Sequence, residues 1–69
     1  MEWISVKDRL PDNADSVIAC MKDNKTGDVY VGEAYYSIYS KEWMLGDIQA
    51  SFYNYTITHW MPMPKLPEE

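Results

Sequence analysis

Apolar and polar residues alternate with period two along much of this chain, and no stretch of ten or more residues carries a 3.6-residue period. Trp3 to Val6 alternates as a short strand, with Trp3 and Ser5 on one face and Ile4 and Val6 on the other. Leu10-Pro11 fixes an extended backbone, and Asp12 to Ser16 is rich in side chains that favour turns. Ser16 to Lys22 is apolar on both faces, Val17, Ala19 and Met21 against Ile18 and Cys20, which predicts a central strand. The polar run Asp23 to Gly27 predicts a hairpin loop.

Asp28 to Tyr36 is then the returning strand, with Val29 and Val31 on one face and Tyr30 and Gly32 on the other. Gly32-Glu33 interrupts the alternation and predicts a bulge or a close approach by another chain or a ligand. Ser37 to Ser40 fits no element. Glu42 to Leu45, closed by Gly46-Asp47, predicts a third strand or a turn that carries Trp43 inward, and Ile48 to Asn54 reads as a loop. Tyr55 to Met61 alternates again, with Tyr55, Ile57, His59 and Met61 on one face and Thr56, Thr58 and Trp60 on the other. Pro62, Pro64 and Pro67 lack the N–H a ladder needs, so residues 62–69 are expected to form an extended tail. The expected fold is a single mainly β domain over residues 1–69, with a small α+β arrangement as its variant. Its sheet would be twisted and antiparallel, of about three or four strands, with an aromatic core.

Length changes this picture by limiting the core. A chain of 69 residues buries only about 60% of the surface its unfolded form exposes, so its core alone is marginal. Cys20 is the single cysteine and His59 the single histidine. No intrachain disulfide can form, and a Cys/His zinc site needs four ligands, so neither a metal nor another cofactor is expected. Two sources of stability remain, bulky rings and self-association, and a homo-oligomer is expected. The chain has six tyrosines, Tyr30, Tyr35, Tyr36, Tyr39, Tyr53 and Tyr55, too many for so small an interior. Some must reach the surface, where tyrosine favours interfaces.

The formal net charge of −5 argues against general nucleic-acid binding, which needs a positive footprint. It suits a basic protein partner and leaves room for a small anionic ligand held locally. The longest unbroken apolar run, Val17 to Met21, is far too short to span a membrane. No basic leader followed by an apolar stretch opens the sequence, and one unpaired cysteine fits a reducing compartment. A cytoplasmic location without membrane contact is expected.

Candidate chemistry is sparse. Imidazole is the side chain suited to proton transfer and metal ligation, but no second histidine supports His59 as a base or ligand. The alternative is a half-buried imidazole bonded to a carbonyl or to a carboxylate such as Asp8. Arg9, the only arginine, is either half of a surface ion pair with Asp8 or a planar fork for a phosphate or carboxylate. Trp3, Trp43 and Trp60 either fill the core or offer a shelf for a flat ring. Cys20, in the most apolar strand, reads as an inert small hydrophobe. No nucleotide-binding loop, nucleophile elbow or zinc-protease motif occurs, and the carboxylates form no acid/base pair. No catalytic residue is expected, and the candidate ligand-binding set is Arg9, Trp3, Trp60, His59, Tyr35 and Tyr36.

Two motifs at the ends of the chain carry a family resemblance. Trp3-Ile4-Ser5-Val6-Lys7-Asp8-Arg9-Leu10-Pro11 and Thr58-His59-Trp60-Met61-Pro62-Met63-Pro64, separated by an aromatic β-like middle, resemble the short phage and prophage family filed as domain of unknown function 551. The resemblance implies a small phage accessory protein in the host cytoplasm during infection or lysogeny, with no established activity and no catalytic residues to carry over. From it and from small size follows the expectation of a non-enzymatic binding protein acting in counter-defence. One form is an oligomeric trap for a nucleotide-derived immune signal. The alternatives are an acidic inhibitor of a host defence or DNA-binding protein, and a structural or interaction module.

Overall fold

The computed structural model describes residues 2–64. Residues 65–69 of the expected tail lie outside the described residues. The chain forms β1 (Ile4–Ser5), β2 (Val17–Asp23), β3 (Val29–Ser37), β4 (Glu42–Leu45), β5 (Ile48–Gln49), a 3-10 turn (Ala50–Tyr53) and β6 (Tyr55–Pro62). The strands make one sheet in the order β1-β6-β2-β3-β4-β5, every neighbouring pair antiparallel. The fold is therefore mainly β, with six strands where three or four were expected. β1 falls within the expected Trp3–Val6 strand and β5 is the strand not foreseen; both are two-residue strands at the two edges of the sheet. The ends of the described chain meet, since Ile4 pairs with Trp60 and Ser5 with His59.

β2 sits between β6 and β3, as its two apolar faces require. Val17, Ala19 and Met21 are buried on one face, with Ala34 of β3, Ile57 and Trp60 of β6 and Ala50 of the 3-10 turn. Val6, Trp43, Leu45 and Tyr55 pack against this centre. The connection between β1 and β2 crosses the same face, where Trp60 Nε1 donates to the Arg9 carbonyl at 3.0 Å and Pro11 is buried. The opposite face carries Ile18, Cys20, Val29, Val31 and Met61, and no described element lies over it.

Four expectations give way. Ile48 to Asn54 is not a loop. Gly46, at φ 70°, and Asp47 reverse the chain so that Ile48 pairs with Leu45, and Ala50 anchors the 3-10 turn in the core. Pro62 does not forbid a ladder. It stands opposite Val17 at the last position of β6, where a missing N–H is tolerated. Gly32 does not bulge, because the β2–β3 register runs unbroken from Val17↔Ala34 to Lys22↔Val29. The close approach there is made by Met21, whose Cε lies 3.3 Å from where a Cβ on Gly32 would stand.

The fourth correction is the face assignment of β6. Cys20 pairs with His59 but Met21 with Ile57, which leaves Thr58 as an extra residue, a β-bulge. The bulge flips the alternation. Ile57 and Trp60, three apart, both enter the core, and His59 is turned out with Met61. Thr58 is held there because its carbonyl accepts the Val6 N–H at 3.1 Å.

Lys41, in the turn between β3 and β4, has φ 59°. An L-residue in that region is strained by about 1–2 kcal/mol, and glycine is not. Lys41→Gly is therefore expected to raise stability by about 0.5–1 kcal/mol, the remainder being offset by unfolded-chain entropy. A urea midpoint that stays put or falls would contradict this.

Candidate functional site

The residues singled out from the sequence do not converge on one site. Arg9 is exposed, and what Trp60 touches is its backbone carbonyl rather than its guanidinium. A shallow cleft of about 230 Å3 joins Arg9, Leu10, Asp12 and Trp60. The Asp12 carboxylate there makes an anion less welcome. Trp60 is buried. Trp3 and His59 belong to the uncovered face. His59 is exposed, and its Nδ1 lies 3.0 Å from Thr58 Oγ1. The expected half-buried imidazole on a carbonyl or Asp8 is thus replaced by an exposed one beside a hydroxyl, because the bulge turns it out. Tyr35 is half-buried on the uncovered face, and Tyr36 packs edge-to-face on Trp43 at 5.4 Å on the core face. Cys20 is partly exposed, and burial pushes its thiol pKa up, which keeps it protonated and unreactive.

A different set of side chains does converge. Tyr30, Tyr55, Tyr53 and Phe52 form a continuous run of rings. Tyr30 and Tyr55 are 6.0 Å apart, Tyr55 and Tyr53 stack at 6.1 Å, and Tyr53 meets Phe52 edge-on at 5.5 Å. Phe52 is 74% exposed, and Tyr30 and Tyr53 are 47% exposed each. Two carboxylates border the run. Asp28 above all, then partial burial, Tyr55 and Asp23, hold the Tyr30 hydroxyl above the usual tyrosine range.

The scaffold under this rim follows from local chemistry. Asp23 Oδ1 accepts from the backbone N–H groups of Lys25 (2.8 Å) and Thr26 (3.3 Å), and Thr26 Oγ1 accepts from Asp28 N–H at 3.2 Å. These bonds fold the hairpin turn, with Gly27 at φ 81° supplying the left-handed position. Asn54, at φ 63°, ends the 3-10 turn in the same conformation. Asn24 N–H donates to the Asn54 carbonyl at 3.0 Å, Asn24 Nδ2 to Asn54 Oδ1 at 3.3 Å, and Thr56 Oγ1 to Asn24 Oδ1 at 2.9 Å. The turn that carries the carboxylates is thereby tied to the turn that carries Phe52 and Tyr53.

Aromatic faces beside carboxylates attract cations. A Lys or Arg side chain seated over such a ring gains about 0.5–2 kcal/mol, and the carboxylates add charge-assisted hydrogen bonds. Nothing in the set pairs an acid with a base or activates a nucleophile. Sequence reading anticipated surface tyrosines but singled out Tyr35 and Tyr36 instead of this group. The signal for the rim was Asn54 directly after Ala50-Ser51-Phe52-Tyr53, a left-handed cap that turns adjacent rings outward.

A second concavity, a cleft of about 350 Å3, opens on the core face beside the 3-10 turn, with Val6, Leu10, Lys41, Trp43, Tyr55 and Ile57 among its lining residues. Among the described residues no group of three or more His, Cys, Asp or Glu is placed to hold a metal ion. No helix among them is long and apolar enough to cross a membrane.

Comparison with known proteins adds a family match. The model of the family described as "Protein of unknown function (DUF551)" matches residues 2–68. Neither a curated protein nor a solved structure matches the chain.

Proposed function

The chain belongs to the DUF551 family, proteins of unknown function, and we propose that it acts without catalysis, by docking its acidic aromatic rim onto a basic surface of another protein. One observation carries this reading: Phe52, Tyr53 and Tyr30 stand exposed in one ring cluster with Asp28 and Asp23 at its border. The net charge of −5 favours the same class of partner and speeds the encounter. The sequence resemblance to phage and prophage proteins supplies the setting, an accessory protein that inhibits a host defence or DNA-binding protein in the cytoplasm.

The test uses an arginine-rich peptide as the basic probe. The wild-type chain is expected to bind it with an affinity that falls as salt rises. Phe52→Ala with Tyr53→Ala should weaken binding about tenfold, and Asp28→Asn by roughly threefold. These side chains are exposed, so circular dichroism should be unchanged. Wild-type affinity in both variants would overturn the reading.

The cleft lined by Trp43, Tyr55, Lys41 and Glu42 favours a second reading, the trap for a nucleotide-derived signal, since it offers rings for a base and, opposed by the Glu42 carboxylate, one cation for a phosphate. A cyclic dinucleotide that binds the wild-type chain and is lost on Lys41→Ala would support it over the first.

A further inference from the structure

β3 is paired along its whole length with β2 or β4, but not along both sides. β2 pairs with Val29 through Ala34, whereas β4 pairs only with Tyr35, Tyr36 and Ser37. Among the described residues no strand pairs with the far side of β3 from Val29 to Glu33, and only Gly46, just past β4, comes beside Glu33 across a small cleft. The direction of the backbone groups there follows from the alternation of an antiparallel ladder. The Asp23 N–H donates to the Asp28 carbonyl, so Asp28, Tyr30 and Gly32 face β2. The N–H and C=O groups of Val29, Val31 and Glu33 point to the open side.

This edge carries little of the usual protection, Glu33 being its one charged residue. Proteins blunt exposed edges with lysine, proline, bulges or very short strands. The strands at the two ends of the sheet, β1 and β5, are two residues long. Val29-Tyr30-Val31-Gly32-Glu33 contains no lysine and no proline and runs without a bulge against β2. Val29 and Val31 are 61% and 62% exposed, an unusual placement for β-branched residues in the middle of a sheet.

We propose that a second copy of this chain covers the edge, β3 pairing antiparallel with β3 about a two-fold axis at Val31. In that register Val31 stands opposite Val31 of the second copy, and Val29 stands opposite Glu33. Every outward N–H and C=O of Val29, Val31 and Glu33 finds a partner. No like charges oppose each other, and the Val29 and Val31 side chains of both copies form one apolar strip on the uncovered face. Tyr30 stands across from Gly32, which has no side chain to obstruct it. A strand from an unrelated protein could also bond this edge, but the symmetric register is what matches each group on the segment to another on the same segment. Each copy has one such edge, so the pairing closes as a dimer and does not propagate. The inference rests on outward backbone groups rather than on the rim's side chains, although Tyr30 of the rim lies within the paired segment.

Two measurements test it. Sedimentation equilibrium should give twice the 8.1 kDa chain mass at high protein concentration. In the dimer the amide protons of Val29, Val31 and Glu33 should exchange at least about tenfold more slowly than on dilution, as strand-paired amides do. Val31→Lys places like charges on the axis, and Val31→Pro removes an outward N–H that no bond within one copy uses. Both should give a monomer with unchanged circular dichroism. A chain that stays monomeric throughout overturns the proposal. So does a dimer that survives Val31→Lys with the Val31 amide unprotected.

Discussion

Trp60→Ala is expected to remove a large share of the domain's stability. Trp60 is the one buried tryptophan, and in the ladder it stands opposite Ala19 of β2, which is fully buried. Removing such a ring costs about 3–5 kcal/mol. A domain of this size has roughly 3–10 kcal/mol in total. The loss is aggravated because Trp60 Nε1 also holds the β1–β2 connection through the Arg9 carbonyl, the only hydrogen bond from an indole to that segment among the described residues. Trp60→Phe separates the two effects. It keeps a ring in place and loses the bond, so about 1–2 kcal/mol is expected. Urea titration followed by circular dichroism checks both values. An alanine variant with a near-wild-type midpoint would show that the core is elsewhere.

Deleting Thr58 should be as damaging as Trp60→Ala, although Thr58 itself is only half-buried. Its role is positional. The extra residue between the pairs Met21↔Ile57 and Cys20↔His59 lets Ile57 and Trp60 share a face. Without it, one half of β6 must slip by one position, and a one-residue slip sends every side chain in that half to the other face. Either Ile57 or Trp60 then leaves the core, at about 3 kcal/mol or more. Val6 N–H also loses its acceptor. Thr58→Val keeps the residue count and the carbonyl, so a change within about 1 kcal/mol is expected. Equal stability of the deletion and the wild type would refute the role given to the bulge.

The bulge also marks where sequence reading stops. Central β2, the hairpin to β3 and the strand at Glu42–Leu45 were legible because each rests on local alternation and turn residues. A bulge has no such mark. Tyr55 to Met61 alternates convincingly, and only pairing with β2 reveals that the alternation is interrupted, which is why His59 was assigned the company of Ile57. Gly32 misled in the opposite direction, since its missing side chain makes room for Met21 and not for a kink. The 3-10 turn at Ala50–Tyr53 was hidden because its one buried residue is an alanine. The rim stayed hidden with it. Tyr30, Tyr53 and Tyr55 lie on three different elements, brought together by the pairing of β2 with both β3 and β6 and by the bonds among Asn24, Asn54 and Thr56.

The central claim is that this chain works by docking the rim onto a basic protein surface. The most direct measurement is the map of backbone amide shifts in the isotopically labelled protein as the arginine-rich peptide is added. The account predicts that the shifts which move with saturation cluster at Asp23 to Tyr30 and Ser51 to Tyr55, and that they shrink in high salt. Shifts confined to Val6, Lys41 and Trp43, or to the uncovered face around Ile18 and Met61, would contradict it.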